Sequence, residues 1–282
     1  MNDAADVPPV TEAVSRGPAT LAADESPTPV ARRNRWTRRI LALLGGVLLV
    51  AIVLAAWWLQ PQPVLPVAAT AMTSTPQVVF SEQNGWPAWS PADGAIEAGL
   101  VFYPGGKVEP AAYARSAQAI AADGFLVVVP PVPLNLAVLA PDRAGDVMAA
   151  YPDVTSWVVG GHSLGGAMAG RFAASRPDDV HGLALWAAFP DGDLSEDTDI
   201  EVVSVFGTLD RGRPRFDSLE TRSLLPPDAR FVAIDGGNHE QMGDYTGQPN
   251  DPPATITRDD QQAIARAATV ELLRRVSDAP EQ

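Results

Sequence analysis

The chain has 282 residues, of which 46% are apolar and 19% charged, and its formal net charge is −14 at pH 7. With this composition the chain as a whole is not disordered, and it can bury one sizeable core or two small ones. The absence of cysteine excludes disulfides, thiolate zinc sites and thiol nucleophiles, and only three histidines are available as metal ligands. The negative charge argues against nucleic acid as a partner, because phosphate binding needs a basic surface.

A long apolar run lies near the N-terminus. Residues 40–59 contain no charged or strongly polar side chain, and as a helix they would extend about 30 Å, the thickness of a bilayer's hydrocarbon core. Trp36 precedes the run, and Trp57 and Trp58 close it, at the positions where indoles anchor at membrane interfaces. The sequence therefore predicts one transmembrane helix over residues 36–59, acting as a signal-anchor.

The charges on the two sides of this span differ. Five arginines crowd its N-terminal flank, whereas no Lys or Arg occurs between Leu59 and Lys107. This bias predicts a single-pass protein of the cell membrane, with a disordered tail over residues 1–35 in the cytoplasm and the catalytic part outside. The alternative is a signal peptide cleaved near Thr70, although the apolar run is longer than the about 7 to 15 residues usual there.

The remaining chain predicts a linker and one α/β domain. Residues 60–76 are rich in proline and predict a semi-extended spacer. In residues 77–282, short apolar runs alternate with segments of helical period, which is typical of a mostly parallel sheet with helices on both faces. Predicted strands lie at residues 77–80, 99–103, 125–130, 156–160, 182–188, 202–206 and 230–234. Predicted helices lie at residues 110–123, 142–151, 164–175, 216–225 and 257–276.

One motif indicates a specific chemistry. Gly161-His162-Ser163-Leu164-Gly165 has the G-x-S-x-G pattern between a predicted strand and a predicted helix. A sharp turn lifts the Ser163 hydroxyl above the sheet, and glycine is needed on both sides because side chains there would collide with the strand and the helix. The turn also places the backbone N–H of Leu164 at a helix N-terminus, where it can stabilise an oxyanion. The pattern predicts Ser163 as a nucleophile.

A serine nucleophile needs a general base, and the three histidines are the candidates. His162 adjoins the serine on the wrong side of the turn and is expected to be packed or hydrogen-bonded there. His181 precedes a strand at the end of the sheet opposite the turn. His239 directly follows the last predicted strand, at the carboxyl edge where open parallel sheets bind ligands. We therefore predict His239 as the base.

Two further groups complete the predicted site. Asp210 follows the strand at residues 202–206 on the same sheet edge as His239, and Asp191, at the end of the preceding strand, is the alternative acid. A second oxyanion donor is expected in the loop after residues 99–103, where the N–H of Gly106 is favoured and that of Lys107 is the next candidate. Two glycines in that loop are also typical of a plain tight turn, so both interpretations stay open.

These motifs resemble those of the α/β-hydrolase superfamily, and within it the small hydrolases without a large lid that are similar to dienelactone hydrolases. The likeness spans about residues 78–276 and rests on FYPGGKVEPAAYA, VVGGHSLGGAMAGRFA, VFGTLD and GGNHEQMGDYTGQPNDPPATIT. The resemblance implies the α/β-hydrolase fold and a triad of Ser163, Asp210 and His239. Dienelactone hydrolases use a cysteine nucleophile, whereas this chain has serine, so their substrate is not carried over.

Two classes of function fit these observations. The first is a membrane-anchored serine hydrolase of the carboxylic ester class, which cleaves an ester or related acyl bond of a small molecule and needs no cofactor or metal. The second is a hydrolase-fold binding module without turnover, for which a complete Ser, Asp, His order is unnecessary. An amidase or an acyl transferase would use the same residues, so the sequence leaves the scissile bond open.

Overall fold

The computed structural model describes residues 29–195 and 199–279. The chain divides into two compact units, with the boundary between Trp57 and Trp58. Residues 1–28, which make up most of the tail predicted to be disordered, lie outside the described residues.

One long helix, α1, spans Pro29–Trp58, and all of it except its last residue lies in the first unit. It begins before residue 36, the predicted start of the span, because arginine is a good helix former and no helix breaker separates this flank from the apolar run. Within its part Asn34–Trp58, of 25 residues, an 18-residue stretch has a mean hydropathy of 2.8. By length and composition this helix can cross a membrane, and its apolar side chains are exposed.

The second unit is built on one eight-stranded sheet. Its strands are β1 Val78–Ser81, β2 Ala88–Pro91, β3 Gly99–Tyr103, β4 Leu126–Val128, β5 Trp157–His162, β6 Gly182–Trp186, β7 Glu201–Gly207 and β8 Arg230–Ile234. Their order across the sheet is β1-β2-β4-β3-β5-β6-β7-β8. The pairs β1/β2 and β2/β4 are antiparallel and all the others parallel, which confirms the predicted mostly parallel sheet.

Helices cover both faces of this sheet, as predicted. They are α2 Ala114–Ala121, α3 Arg143–Ala150, α4 Leu164–Ser175, α5 Arg213–Phe216, α6 Leu219–Ser223 and α7 Arg258–Ser277. Successive side chains of β3 point to opposite faces. Leu100 packs in one core with Ile120 of α2 and Leu272 of α7, whereas Val101 packs in the other core with Phe172 of α4.

Two elements differ from the sequence prediction. The strand β2 is not predicted, because it has only four residues and ends in Pro91, which cannot donate a backbone hydrogen bond. The helix predicted at residues 216–225 is instead the two short helices α5 and α6. The Ser218 hydroxyl accepts the N–H of Thr221 and so caps a new helix start, which separates the two.

The proline-rich segment at residues 60–76 differs from the semi-extended spacer that its composition predicts. Val64 forms a β-bridge with Tyr245, and Pro66–Ala71 is a 3-10 helix. The last residue of that helix, Ala71, is buried in the core that α2 and α7 cover. The segment packs on the domain because its alanine and valine side chains find an apolar surface there.

We expect a chain that begins at residue 77 to be less stable than one that begins at residue 60. The buried indole N–H of Trp89 donates to the carbonyl of Ala71 over 2.7 Å, and the shorter chain lacks this acceptor. An unpaired buried donor costs about 1–3 kcal/mol, and the uncovered apolar surface adds to that loss. Urea unfolding of the two chains measures the difference, and equal free energies of unfolding would contradict the expectation.

Candidate active site

The turn between β5 and α4 places Ser163 in an unusual backbone conformation. Its φ of 54° and ψ of −120° lie in a region that residues with a side chain rarely adopt. The N–H of Ser163 donates to the carbonyl of Trp186 over 2.9 Å, which holds the turn. A Cβ on Gly165 would lie 2.3 Å from the Tyr103 carbonyl oxygen, and one on Gly161 would lie 2.5 Å from the carbonyl carbon of Gly165. Close packing therefore requires glycine on both sides of the serine.

Asp210 and His239 meet at the carboxyl edge of the sheet. They follow the parallel neighbours β7 and β8, and a Cβ on Gly207 would lie only 2.3 Å from the carbonyl carbon of Gly237, so the two loops approach closely. Asp210 Oδ2 lies 2.7 Å from His239 Nδ1. The side chains are 3% and 12% exposed, respectively. A carboxylate at Nδ1 leaves Nε2 as the ring atom that can accept a proton.

The carboxylate of Asp210 is also fixed by its own loop. Its Oδ1 accepts the N–H of Gly212 over 2.7 Å. The alternative acid, Asp191, instead forms an ion pair with Arg171, and its side chain is 45% exposed. Of the two candidates, only Asp210 is hydrogen-bonded to His239 within the described residues.

His162 is buried beside the turn. Its Nδ1 lies 2.9 Å from the Tyr113 hydroxyl oxygen, and that oxygen accepts the N–H of Gly105 over 3.0 Å. The Tyr113 hydroxyl and Nδ1 of His162 therefore share one hydrogen bond, whose direction depends on the tautomer of the ring. Burial, and to a smaller extent the neighbouring His239, lowers the pKa of His162 well below its ordinary value of 6.5. His162 is thus a neutral ring at neutral pH, and its centroid lies 4.6 Å from that of His239.

The loop after β3 brings Gly106 close to the side chain of Leu164. A Cβ on Gly106 would lie 3.4 Å from Leu164 Cδ2, so the loop packs against the start of α4. In residues 29–195 and 199–279, neither the N–H of Gly106 nor that of Leu164 donates a hydrogen bond. The loop is also a tight turn, since the N–H of Val108 donates to the carbonyl of Gly105 over 3.0 Å. Both interpretations of the glycine pair therefore fit the geometry.

Sequence reasoning missed the side chains that fix the loop carrying His239. The fully buried amide of Gln261 donates to the carbonyl of Asn238 over 2.7 Å and accepts the N–H of Asn238 over 3.0 Å. The Asp251 carboxylate accepts the N–H groups of His239 and Glu240 at 3.2 and 2.8 Å, and burial raises its pKa. The one sequence signal for these hydrogen bonds is Gln261, a polar residue on the inner face of α7.

His181 and the potential metal ligands take no part in this arrangement. His181 is exposed at the amino end of β6, as expected. Within the part of the chain that the structure describes, no group of three His, Asp or Glu side chains could hold a metal ion. Phe216 stacks beside His239, with ring centroids 6.5 Å apart. The groups that meet here suit acid–base chemistry.

The lowered pKa of His162 predicts a stability that depends on pH. The unfolded chain binds a proton on this histidine near pH 6.5, whereas the folded chain does so only at lower pH. The free energy of unfolding of the wild type should therefore fall as pH falls from about 6.5 towards the folded pKa, by at most about 1.4 kcal/mol per pH unit. His162→Asn keeps an acceptor for Tyr113 but loses this dependence. Urea unfolding should show that the free energies of unfolding of the variant and the wild type differ less at pH 5 than at pH 7. An equal difference at the two pH values would contradict the prediction.

Comparison with known proteins agrees with the fold of the second unit. A solved structure, the predicted CIB-like hydrolase from Thermoplasma acidophilum, matches with a TM-score of 0.51 and 18% identity, covering 71% of this chain and 98% of that chain. An identity this low shows a common fold alone. No curated protein matches the sequence. The model of a family described as alpha/beta hydrolase matches residues 99–263, more than half of the chain. The chain therefore belongs to the alpha/beta hydrolase family.

Proposed function

We propose that this hydrolase is a membrane-anchored serine esterase that acts through an acyl-enzyme. The observation that carries the proposal is the 2.7 Å hydrogen bond between Asp210 and His239, on the sheet edge where β5 ends in the strained turn at Ser163. Family membership supports hydrolysis, and the residue types support serine chemistry. A serine hydroxyl is a weak nucleophile unless a base takes its proton, and an oriented imidazole is such a base.

In the acylation step, Ser163 Oγ attacks the carbonyl carbon of the ester, and His239 Nε2 takes the hydroxyl proton. The carbonyl π electrons move to its oxygen, which the N–H groups of Leu164 and Gly106 stabilise. When the carbonyl re-forms, the bond to the leaving oxygen breaks and His239 gives its proton to the departing alcohol. Asp210 stabilises the imidazolium between these two proton transfers.

Deacylation repeats the sequence with water. His239 takes a proton from the water as it attacks the acyl carbonyl, and then returns a proton to Ser163 Oγ as the acid leaves. A thioester or an amide would follow the same steps with a different leaving group. An acyl transferase would differ only in the nucleophile that replaces water.

A fluorophosphonate probe tests the proposal directly, because it reacts with an activated serine. Wild type should be labelled, and Ser163→Ala should not be labelled. Ser223→Ala is the matched control, since the Ser223 hydroxyl is exposed and donates to the carbonyl of Glu220 on α6. Labelling of Ser163→Ala at the wild-type rate would contradict the assignment, and an unreactive wild type would favour the binding module without turnover.

The membrane anchor predicts an orientation. Five arginines cluster at residues 32–39, and no Lys or Arg follows α1 before residue 107, so the N-terminus should lie in the cytoplasm and the hydrolase domain outside. Protease added to intact cells should remove the domain and leave a short N-terminal fragment in the membrane. Protection until lysis would refute this orientation, and a soluble domain released without protease would indicate signal cleavage.

A further inference from the structure

Ion pairing is uneven among the arginines of the second unit. Thirteen arginines follow residue 60, and nine of them form ion pairs with Asp or Glu. The four without an acidic partner in the described chain are Arg266 on α7 and three that directly follow Asp210: Arg211, Arg213 and Arg215. The chain after residue 60 has more than twice as many acids as bases, so three unpaired neighbours are unexpected there.

These three arginines lie beside the candidate catalytic groups. The N–H of Gly212, within the run, donates to Asp210 Oδ1, and the N–H of Arg213 donates to the Asp210 carbonyl over 3.1 Å. Phe216, the residue after Arg215, stacks beside His239 at 6.5 Å. The run at residues 211–215, named here the arginine segment, therefore connects the loop of the acid to an aromatic neighbour of the base.

The charges of the arginine segment are open to solvent. Its three arginine side chains are exposed, and the Arg215 guanidinium lies over the Phe189 ring, 4.0 Å from the centroid. This contact orients Arg215 towards the loop after β6, and no acid among the described residues forms an ion pair with it. Asp191, in that loop, is already paired with Arg171, and Asp193 accepts hydrogen bonds from within the loop. The described acids nearby are thus committed to other partners.

We propose that the arginine segment selects substrates that carry a negatively charged group, such as a carboxylate or a phosphate, near the scissile acyl bond. This inference rests on the proposed function, because it names the substrate class of the same site. Guanidinium groups bind such oxyanions well, since their planar N–H donors match two oxygens at once. A positive rim also raises the local concentration of an anion that the acidic domain would otherwise repel.

A role in folding does not account for the arginine segment. Exposed charges contribute little to the free energy of unfolding even when they are paired, and within residues 29–195 and 199–279 these three have no acidic partner. The backbone of the segment already fixes Asp210, and that contact needs no side-chain charge. The exposed guanidinium groups are therefore available to bind an anion that enters the site.

Two esters with the same acyl group test the inference. The anionic 3-(butanoyloxy)benzoate and the neutral 3-(butanoyloxy)benzamide form the same butanoyl-enzyme and differ in the charge of the leaving group. Wild type should prefer the benzoate, and in the double variant Arg211→Gln/Arg213→Gln the ratio of kcat/KM for benzoate to benzamide should fall about tenfold, mainly through KM. Adding Arg215→Gln should lower the ratio further, and added salt should lower it in wild type.

Arg266→Gln is the matched control, because Arg266 is the fourth unpaired arginine and lies on α7 in a groove with Thr70, Gln77 and Arg115. It removes one positive charge at a position outside the arginine segment and should leave the ratio at its wild-type value. A double variant with the wild-type ratio, or an equal change in Arg266→Gln, would overturn the inference while the proposed hydrolysis stands. If wild type hydrolyses neither ester and is not labelled by the fluorophosphonate, the proposed function itself is overturned.

Discussion

Purified Ser163→Ala protein is expected to hydrolyse 4-nitrophenyl butyrate on the order of 10⁶-fold more slowly than wild type, the loss that accompanies removal of a triad nucleophile. The variant keeps the oxyanion donors and the imidazole, so only the covalent step is lost. Initial rates of the detergent-solubilised protein, with circular dichroism to confirm folding, measure the effect. Retention of a tenth of the wild-type rate would exclude Ser163 as the nucleophile.

Ser163→Gly separates the loss of chemistry from damage to the fold. Glycine adopts positive φ without strain, so this variant should be as inactive as Ser163→Ala. Its free energy of unfolding should exceed that of Ser163→Ala by about 1 kcal/mol or more. An inactive protein with raised stability cannot owe its inactivity to unfolding. A glycine variant less stable than Ser163→Ala would contradict the expected relief of backbone strain.

Asp210→Asn should lower kcat by about 10³ to 10⁴, because an amide can hold the imidazole in the wrong tautomer and cannot stabilise its positive charge. The expectation depends on the 2.7 Å contact between Asp210 Oδ2 and His239 Nδ1. Asp191→Asn is the matched control, since it removes an equivalent charge from an acid paired with Arg171, and it should change kcat little.

The ranking of these two aspartates decides which strand supplies the acid. A large loss in Asp191→Asn together with a small loss in Asp210→Asn would move the acid to the loop after β6. Equal losses in both would indicate that neither carboxylate acts alone. Each variant is measured over a range of substrate concentrations, because loss of charge stabilisation lowers kcat rather than raising KM.

Local patterns were the best guide to this structure. The helix α4 spans Leu164–Ser175, the residues that the sequence predicts, because the glycine-flanked turn defines its start and the arginine and proline after Ser175 define its end. The placement of Asp210 and His239 on one sheet edge follows from chain order and parallel strands alone. These features depend on residues close in the sequence or on a general rule of topology.

Contacts between distant residues were not predictable from the sequence. The bridge of Val64 to Tyr245 depends on a surface that exists only after folding, so the segment reads as a plain proline-rich linker. The hydrogen bonds of Gln261 to Asn238 join α7 to the loop after β8, and neither residue indicates its partner. The break between α5 and α6 had a local signal in Ser218, but the surrounding apolar spacing favoured one continuous helix.

The packing of the proline-rich segment has a consequence for the order in which this protein folds during synthesis. Besides the bridge of Val64 to Tyr245, the N–H of Leu65 donates to the carbonyl of Asp244, so the first residues of the domain bind close to its last helix. A chain that emerges N-terminus first cannot make these contacts until nearly all of it has been synthesised. Contacts between residues 64–65 and residues 244–245 close a very long loop, and such closure is slow and entropically unfavourable. While the domain is being synthesised, the part of its core that the proline-rich segment covers is therefore exposed. A chaperone that shields apolar surface would act during that interval.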